Sequence, residues 1–244
     1  MHLKKLKKTW DNEARSYHFE SDSQVDYVAN YHHLYGCLGN LRGKRVLEVG
    51  SGGGQSSAYL ASNGAQVHLL DISKKALQFS KKYFASRGLP VKLYLQNAFS
   101  MKFAPESFDY VWNGGVLEHF DDNEKILMLK KMWNIVKPGG KLLVTVPNAH
   151  DLPFMIAKKI LQLRNKWTFG KEDDLTIKRM TDFARAVGIK EFFIYAYNPV
   201  VGFWFFPYGR EITDFLGLNT LKRHKLQTPF GHVINFVAKK PSKF

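Results

Sequence analysis

Hydrophobic and polar positions of the 244-residue chain follow two alternating periods from residue 44 onward. Apolar runs of strand length are followed by stretches in which apolar residues recur every three or four positions, as on one face of a helix. The apolar runs lie at residues 46–49, 66–72, 108–113 and 141–146, and a run at 91–96 alternates between apolar and polar residues. This order predicts an α/β fold, and the alternating run suits an edge strand.

Capping residues bound the predicted helices. Ser73 and Gly88 mark the ends of one helix, because a serine side chain caps free N–H groups and glycine readily leaves the helical conformation. Asp121 or Asp122 begins the next helix, which ends at a Lys-Pro-Gly-Gly turn at residues 137–140. The remaining predicted elements are a short amphipathic helix at 154–163, a helix at 176–187 and strands at 191–197 and 232–238.

The most aromatic stretch, residues 200–208, contains the consecutive residues Phe203, Trp204, Phe205 and Phe206. We expect these side chains to be buried in the core. If they are exposed, they and the long connection at residues 148–172 suit a lid over an apolar or lipid-like acceptor, or a contact with a membrane surface.

No repeat, low-complexity segment or linker divides the chain, so we expect a single domain of residues 1–244. Residues 1–43 form an N-terminal extension with helical spacing around positions 25–35. Residues 44–147 form the regular α/β core. Residues 148–244 form a less regular half, which we expect to hold the substrate.

The first apolar run leads into a glycine-rich turn of the pattern Glu48-x-Gly50-x-Gly52-x-Gly54. Glycines at the end of a strand remove Cβ atoms that would keep a ligand from the backbone, and the next helix directs free N–H groups to the same place. The dinucleotide fingerprint G-x-G-x-x-G is absent, because Gln55 stands where its third glycine would fall. An ordinary tight turn is the alternative interpretation.

Asp71 ends the second apolar run, about twenty residues beyond the glycines. A carboxylate at this place in a βαβ unit accepts hydrogen bonds from the two hydroxyls of a ribose. The alternative is that Asp71, or Ser73 beside it, caps the following helix. The two roles are compatible with each other.

Several segments, taken in chain order, resemble motifs of the class I S-adenosylmethionine (SAM)-dependent methyltransferases. They are W-D-x-x-A-x-x-Y at residues 10–17, the glycine turn, Asp71, residues 95–99, residues 107–120 and the turn at 137–140. The resemblance covers residues 10–147 well and the remainder in outline. It implies a three-layer Rossmann-like fold whose seven-stranded sheet has the order 3-2-1-4-5-7-6, with the last strand antiparallel.

The resemblance also implies SAM as the cofactor and assigns residues to its site. Tyr17 would lie over the cofactor, although it could equally anchor the extension to the domain. Asn97 departs from the family's Asp-Ala pair, but its amide oxygen can accept the same bond from the adenine amino group. The predicted cofactor-binding residues are Tyr17, Glu48, Gly50, Ser51, Gly52, Gly54, Asp71, Ile72, Asn97, Ala98 and Asn113.

Methyl transfer needs a general base only when the acceptor carries a proton, as a hydroxyl or ammonium does. His119 is our candidate, because it follows the fourth strand and titrates in the useful range. Alternatively, it shapes the cofactor pocket or packs on Trp112. His150 and Asp151 lie where acceptor pockets are usually built, with Asn148 beside them. The favoured interpretation is that Pro147-Asn148 simply ends the strand.

We expect no metal site, since Cys37 is the only cysteine and the adjacent His32 and His33 would point in different directions on a helix. The formal net charge of +15 suggests an anionic partner, such as nucleic acid, a phosphorylated substrate or an acidic membrane surface. The basic residues are spread along the chain, so a basic surface that only keeps the protein soluble is an equal alternative. The N-terminus lacks the apolar region of a signal peptide, and no apolar run reaches the roughly 18 residues of a membrane span. We therefore expect a cytoplasmic protein.

These observations predict an enzyme, a SAM-dependent methyltransferase of a small molecule, anionic or apolar. The acceptor atom, whether oxygen, nitrogen or carbon, is left open. A methyltransferase of RNA or protein is the first alternative, although no basic and aromatic residues are concentrated in one place as a nucleic-acid site requires. A non-catalytic SAM-binding module is the second.

Overall fold

The computed structural model describes residues 2–19, 33–218 and 227–242. The strands are β1 Arg45–Val49, β2 Gln66–Asp71, β3 Lys92–Leu95, β4 Phe108–Gly114, β5 Val136–Pro147, β6 Phe192–Tyr197 and β7 Val233–Lys239. The helices are α1 His2–Glu13, α2 Gln55–Ser62, α3 Lys74–Ser86, α4 Asp122–Ile135, α5 Leu152–Leu163, α6 Ile177–Val187 and α7 Gly209–Phe215. Residues 33–38 are also helical. The rest of the helix expected around positions 25–35 falls mostly outside the described residues.

The strands form one seven-stranded sheet of order β3-β2-β1-β4-β5-β7-β6. β1 pairs in parallel with β2 and β4, and the pairs β2–β3 and β4–β5 are parallel too. β7 runs antiparallel to both of its neighbours, β5 and β6. The sequence prediction of the fold is confirmed, including the edge position of β3 and the antiparallel last strand.

Both faces of the sheet are covered, because neighbouring residues of each central strand enter different cores. On β1, Leu47 and Val49 belong to a core with α4 and α6, whereas Val46 belongs to a second core with α2 and α3. Side chains alternate between faces along a strand, so a continuous apolar run is required when helices pack on both sides. Because β1 to β5 are parallel, their carboxyl ends all lie at the same end of the sheet.

Side-chain caps fix where the helices beside that edge begin. The Ser73 hydroxyl accepts a hydrogen bond from the backbone N–H of Ala76 at 3.1 Å. Asp121, rather than Asp122, caps α4 by a reciprocal pair of bonds with Glu124. Both helices therefore begin immediately after the loops that follow β2 and β4.

β5 is longer than the sequence predicts, since it begins at Val136 and includes the expected turn at residues 137–140. The Gly139 N–H donates to the carbonyl of Lys240 at 2.8 Å, and the Lys240 N–H donates to Gly140 at 2.9 Å. A Cβ on Gly140 would lie 2.5 Å from the Asp109 carbonyl oxygen. The glycines thus serve close strand pairing rather than a turn, which corrects the prediction.

The aromatic segment is a 3-10 turn at Val201–Phe205 on the surface rather than part of the core. Phe203 and Tyr208 are 47% and 75% exposed, and Trp204, Phe205 and Phe206 stay partly exposed. Phe205 packs edge-on against Phe154 of α5, and the Trp204 indole donates to the Thr213 hydroxyl of α7 at 3.0 Å. The segment is covered on one side by α5 and α7, so the expectation of burial was wrong.

Candidate active site

A pocket opens at the carboxyl ends of β1, β2 and β4, where the glycine loop predicts ligand binding. The predicted residues that line it are Tyr17, Glu48, Gly50, Ser51, Gly52, Asp71, Ile72, Asn97 and Ala98. Three other predicted residues, Gly54, Asn113 and His119, lie outside its lining as the described part of the chain defines it. The structure therefore brings nine of the twelve predicted residues together.

The glycine loop is held tightly against its surroundings. The backbone N–H groups of Gly50 and Ser51 donate to the Leu70 carbonyl at 2.7 and 3.1 Å. Gly50 and Gly52 have φ values of 73° and 51°, which favour glycine. A Cβ on Gly52 would lie 3.1 Å from the Tyr17 hydroxyl, so this glycine keeps open the space beneath Tyr17.

Gly54 serves the fold next to the pocket. It begins α2 with a φ of 71°, and a Cβ there would lie 2.7 Å from the Leu69 side chain. Asn113 likewise joins two strand ends, because its amide donates to the Val49 carbonyl at 2.6 Å. Gly54 and Asn113 therefore position the loops that follow β1 and β4.

Asp71 is buried, and each of its carboxylate oxygens accepts one backbone hydrogen bond. The Gly52 N–H donates at 2.9 Å and the Ser73 N–H at 2.7 Å. The helix cap itself is Ser73, so the carboxylate retains further lone pairs for a ligand. Burial raises the pKa of Asp71, while the bonds from Ser73 and Gly52 oppose that shift.

Glu48 lies at the floor of the pocket, beneath the glycine loop. Burial raises the pKa of this carboxyl well above its usual range, and the neighbouring charge of Asp71 adds to the effect. Among the described residues, neither Glu48 Oε2 nor the Ser51 hydroxyl has a hydrogen-bond partner. Buried polar atoms without partners are costly, so both favour a polar ligand.

The W-D-x-x-A-x-x-Y segment covers the opposite side of the pocket. Trp10 and Tyr17 both line it, and the Ser73 hydroxyl donates to Asp11 at 2.6 Å. Tyr17 also packs edge-on against Phe79, with ring centroids 5.4 Å apart. Tyr17 therefore has both properties that the sequence predicts, a place at the pocket and an anchoring contact.

Asn97 and Ala98 form the wall beyond β3. The Asn97 side-chain oxygen accepts the Phe99 N–H at 3.0 Å, which leaves its amide nitrogen and one lone pair for other partners. Gln96 lines the same wall and was missed, because the resemblance drew attention to the following residue. Its side chain holds the loop by accepting the Lys102 N–H at 2.9 Å.

His119 lies in a second cavity, which also contains Glu118 and Glu172 and shares Phe120 with the first pocket. His119 Nδ1 is 3.2 Å from the Lys171 carbonyl oxygen, and its ring packs edge-on against Trp10 at 5.1 Å. A carbonyl only accepts hydrogen bonds, so Nδ1 carries the proton. The sequence offered packing on Trp112 as an alternative role for His119, but the structure places the His119 ring against Trp10 instead.

Glu118 is the most perturbed acid of this cavity. Burial, followed by the charge of Glu172, raises its pKa to about 8, although Lys158 and Lys125 oppose the shift. Glu118 Oε2 has no hydrogen-bond partner in the described ranges. Lys158 of α5 lies 2.9 Å from Glu172, so the cavity is connected to that helix.

An ion-pair network forms the outer wall of the second cavity. Lys125 is fully buried and contacts Asp173, whose carboxylate also accepts two bonds from Arg179, at 2.9 and 2.7 Å. The guanidinium of Arg179, together with Lys125, lowers the pKa of Asp173 to about 2. The wall is therefore charged and fixed in position.

Glu118, His119 and Glu172 each present a ligand atom, and these three atoms lie within 4.8 Å of one another. Two carboxylates and an imidazole are suitable donors for a divalent cation. The sequence predicts no metal site, and this cluster is where that expectation is best tested, by measuring activity with and without a chelator.

The residues after β5 have structural partners. Asn148 donates to the carbonyls of Pro229 and Gly231 at 2.9 and 2.7 Å, and Asp151 lies 2.7 Å from His232 while capping α5. His150 is exposed. These contacts fix the start of α5, and none of the three residues lies in either cavity as the described chain forms them.

Sequence reasoning missed the residues that follow β4. Gly115 and Val116 line the first pocket, and a Cβ on Gly50 would lie 2.5 Å from Val116. The Gly114-Gly115 pair, directly after a buried strand, was the available signal. Trp10 had been noted only as the start of the W-D-x-x-A-x-x-Y segment, without a place at the site. Leu6 and Phe120 were not singled out, because an apolar side chain carries no chemistry that marks it as a ligand contact.

Comparison with known proteins agrees with this geometry. Residues 47–144 match the model of a methyltransferase domain. The chain is 32% identical over 171 residues to the ubiquinone biosynthesis O-methyltransferase of Cupriavidus pinatubonensis, covering 67% of this chain and 68% of the relative. The enzyme of the same name from Stutzerimonas stutzeri is 29% identical over 168 residues, covering 66% of this chain and 72% of the relative.

A solved structure shares the fold. Haemonchus contortus phosphoethanolamine N-methyltransferase 2, in complex with phosphomonomethylethanolamine and S-adenosylhomocysteine, superposes with a TM-score of 0.64 at 21% identity. The match covers 87% of this chain and 52% of that chain. The protein described here belongs to the class I SAM-dependent methyltransferases.

Proposed function

We propose that this enzyme methylates an oxygen atom of a small-molecule acceptor. The observation that carries the proposal is the pair of neighbouring cavities, which share Phe120. A methyl donor in the first would lie beside an acceptor in the second. The relatives named as O-methyltransferases favour oxygen over nitrogen or carbon.

Three features of the first pocket fit SAM. Gly52 leaves room beneath Tyr17, where a Cβ would approach the hydroxyl to 3.1 Å. Asp71 retains lone pairs that suit a ribose diol, and the buried Glu48 carboxyl suits the ligand's ammonium group. We assign the ribose to Asp71 and the amino-acid end to Glu48, with the adenine beside Asn97 and Ala98.

When bound, SAM supplies a methyl group on a sulfonium, which is already an activated leaving group. The chain's first contribution is orientation, which for well-placed reactants is worth about 7–11 kcal/mol. The rigid glycine loop and the Trp10–Tyr17 cover serve that purpose. A hydroxyl acceptor must in addition lose its proton.

We assign the removal of the acceptor's proton to His119. Because Nδ1 carries the hydrogen that faces the Lys171 carbonyl, Nε2 is the basic nitrogen of the neutral ring. The contact with Trp10, which also lines the cofactor pocket, orients the imidazole at the boundary of the two cavities. General-base catalysis of this kind contributes about 10²–10⁴-fold to a rate.

The proposal is tested with SAM labelled in its methyl group and a panel of phenols, aliphatic alcohols and amines. We expect label on an oxygen of a phenol or alcohol. Transfer to amines alone would contradict the choice of acceptor atom.

Two other outcomes would support the alternative functions. Salt-sensitive labelling of RNA or protein would favour a macromolecular acceptor drawn in by the +15 charge. SAM binding without transfer to any acceptor would indicate a binding module.

A further inference from the structure

An unusually apolar outer surface is built by α5 and α7. On α5, Leu152, Ile156, Ile160 and Leu163 are 63, 55, 39 and 73% exposed. On α7 and directly after it, Ile212, Phe215 and Leu216 are 54, 90 and 57% exposed. Isolated exposed apolar residues are ordinary, but a group of seven on two helices that pack on the same turn marks an interaction surface.

The exposed residues of α5 form a continuous stripe. At 100° per residue, positions 152, 156, 160 and 163 fall within an arc of about 80°. The opposite side of the helix carries Phe154 and Ala157, which are buried against the body of the protein. The helix is therefore apolar on two sides, and only one of them serves the fold.

α5 and α7 belong to one region, because both pack on the turn Val201–Phe205. Phe205 contacts Phe154 of α5 with ring centroids 4.8 Å apart, and Trp204 donates to Thr213 of α7 at 3.0 Å. Phe203 of the same turn is 47% exposed. We call the exposed apolar residues of α5, α7 and this turn the outer apolar surface.

The charges beside the apolar stripe of α5 are positive, whereas α7 carries the exposed acids Glu211 and Asp214. Residues 152–171 contain five basic residues, Lys158, Lys159, Arg164, Lys166 and Lys171, and no acidic residue. Lys158 points inward, whereas the other four are exposed. Lys159 and Arg164 stand on opposite flanks of the apolar stripe. Basic residues that flank an apolar helix face are typical of helices lying in the interface of an anionic membrane.

We propose that the outer apolar surface binds the surface of an anionic lipid bilayer. The apolar stripe would enter the headgroup boundary while Lys159 and Arg164 contact lipid phosphates. No helix among the described residues is long and apolar enough to cross a membrane, so the contact is peripheral. The positive net charge of the chain strengthens the attraction.

The surface adjoins the acceptor side of the enzyme. Lys158 is on the inner side of α5 and lies 2.9 Å from Glu172, which lines the cavity of His119. On this proposal, the cavity that takes a lipid-soluble acceptor lies on the side of the enzyme that contacts the bilayer. This second step rests on the proposed function, whereas bilayer binding does not.

The test is co-sedimentation of the full chain with vesicles, in the absence of any acceptor. We expect binding to vesicles containing about one third phosphatidylglycerol, and much weaker binding to pure phosphatidylcholine or at high salt. Leu163→Glu should lower the partition coefficient at least tenfold. Lys159→Ala and Arg164→Ala should each lower it about fivefold.

Leu127→Glu is the matched control, because Leu127 is 43% exposed on α4, outside the outer apolar surface, and the change in charge is the same. It should bind vesicles as the unmodified chain does. Equal binding by the Leu163→Glu variant, or no binding of the unmodified chain to anionic vesicles, would overturn the proposal. A dimer that dissociates on Leu163→Glu without vesicle binding would assign the surface to a second copy instead.

SAM titration of the same samples separates this proposal from the proposed function. Vesicle binding with SAM binding but no methyl transfer would leave the surface standing and remove the assigned reaction. Normal methyl transfer with no vesicle binding would leave the assigned reaction standing and remove the proposed bilayer contact.

Discussion

The two halves of the chain are held in place by different kinds of contact. The half from β1 to β5 is organised by features close together in sequence: strand ends, glycines with positive φ and side-chain caps. The half that follows β5 depends on contacts between distant residues. Asp151 lies 2.7 Å from His232 and fixes the start of α5, and Lys158 lies 2.9 Å from Glu172.

This difference separates two functions. In the proposed function the cofactor is held mainly by a local motif, whereas the acceptor cavity combines Glu118 and His119, which follow β4, with Lys171 and Glu172, which follow α5. Substitutions in the glycine loop should therefore change SAM affinity, and substitutions around His119 should change transfer while SAM affinity is retained. Four variants test that separation.

Gly52→Val should have the largest effect. The residue has a φ of +51°, and its Cβ would lie 3.1 Å from the Tyr17 hydroxyl, so a branched side chain both strains the loop and fills the pocket. We expect SAM binding to be undetectable by calorimetry. Gly36→Ala is the control, since a Cβ there has no neighbour within 4 Å among the described atoms. Normal SAM affinity of the Gly52→Val protein would contradict the placement of the ligand.

His119→Ala should lower kcat by about 10²–10⁴-fold and change the SAM dissociation constant less than threefold. The acceptor proton would lose its base, while the cofactor pocket would keep its lining. Steady-state kinetics and calorimetry measure the two quantities separately. The exposed His150→Ala should affect neither. A parallel loss of SAM affinity in the His119 variant would show that the residue shapes the cofactor pocket instead.

Asp71→Ala should weaken SAM binding about 100-fold, because two ribose hydrogen bonds to a charged acceptor are lost. The substitution also removes the acceptor of the Gly52 and Ser73 N–H groups, so Asp71→Asn is needed beside it. The asparagine keeps one oxygen acceptor and should lose less affinity. Unchanged SAM binding in both variants would remove Asp71 from the ligand site.

Glu118 should make stability depend on pH. Its pKa in the folded protein is raised from the ordinary value of 4.5 to about 8. Folding thus favours the protonated carboxyl, and the free energy of unfolding should fall as the pH rises from about 4.5 through about 8. Urea denaturation at pH 6 and pH 9 measures this difference.

Glu118→Gln should reduce that difference, since its amide does not titrate. Glu191→Gln, at an exposed position, should leave it as in the unmodified protein. If the pH dependence of the Glu118→Gln protein matches that of the unmodified chain, another group is responsible.

Local sequence signals predicted the strands, the helix caps and the glycine turn before α2, because each of these depends on a few neighbouring residues. The strand order and most of the cofactor-pocket assignments were implied by the resemblance to class I SAM-dependent methyltransferases. The roles of Asp71 and Ser73 needed the structure, because both are suitable caps and only the geometry shows that Ser73 occupies that position.

The sequence could not predict features that depend on packing between distant elements. The exposure of Phe203 depends on where α5 and α7 lie. The burial of Lys158 depends on Glu172 and Asp174, which fold beside its ammonium group. Asn113 was assigned to the ligand from the segment at residues 107–120 that resembles the family, yet its amide nitrogen donates to the Val49 carbonyl. Side-chain type and order along the chain do not contain that information.

The central claim is that the glycine loop, Asp71 and Glu48 form a preformed SAM site. Calorimetric titration of the unmodified protein with SAM, S-adenosylhomocysteine and NAD tests it most directly. We expect micromolar dissociation constants for the first two ligands and no binding of NAD. Binding of NAD alone, or of none of the three, would contradict it.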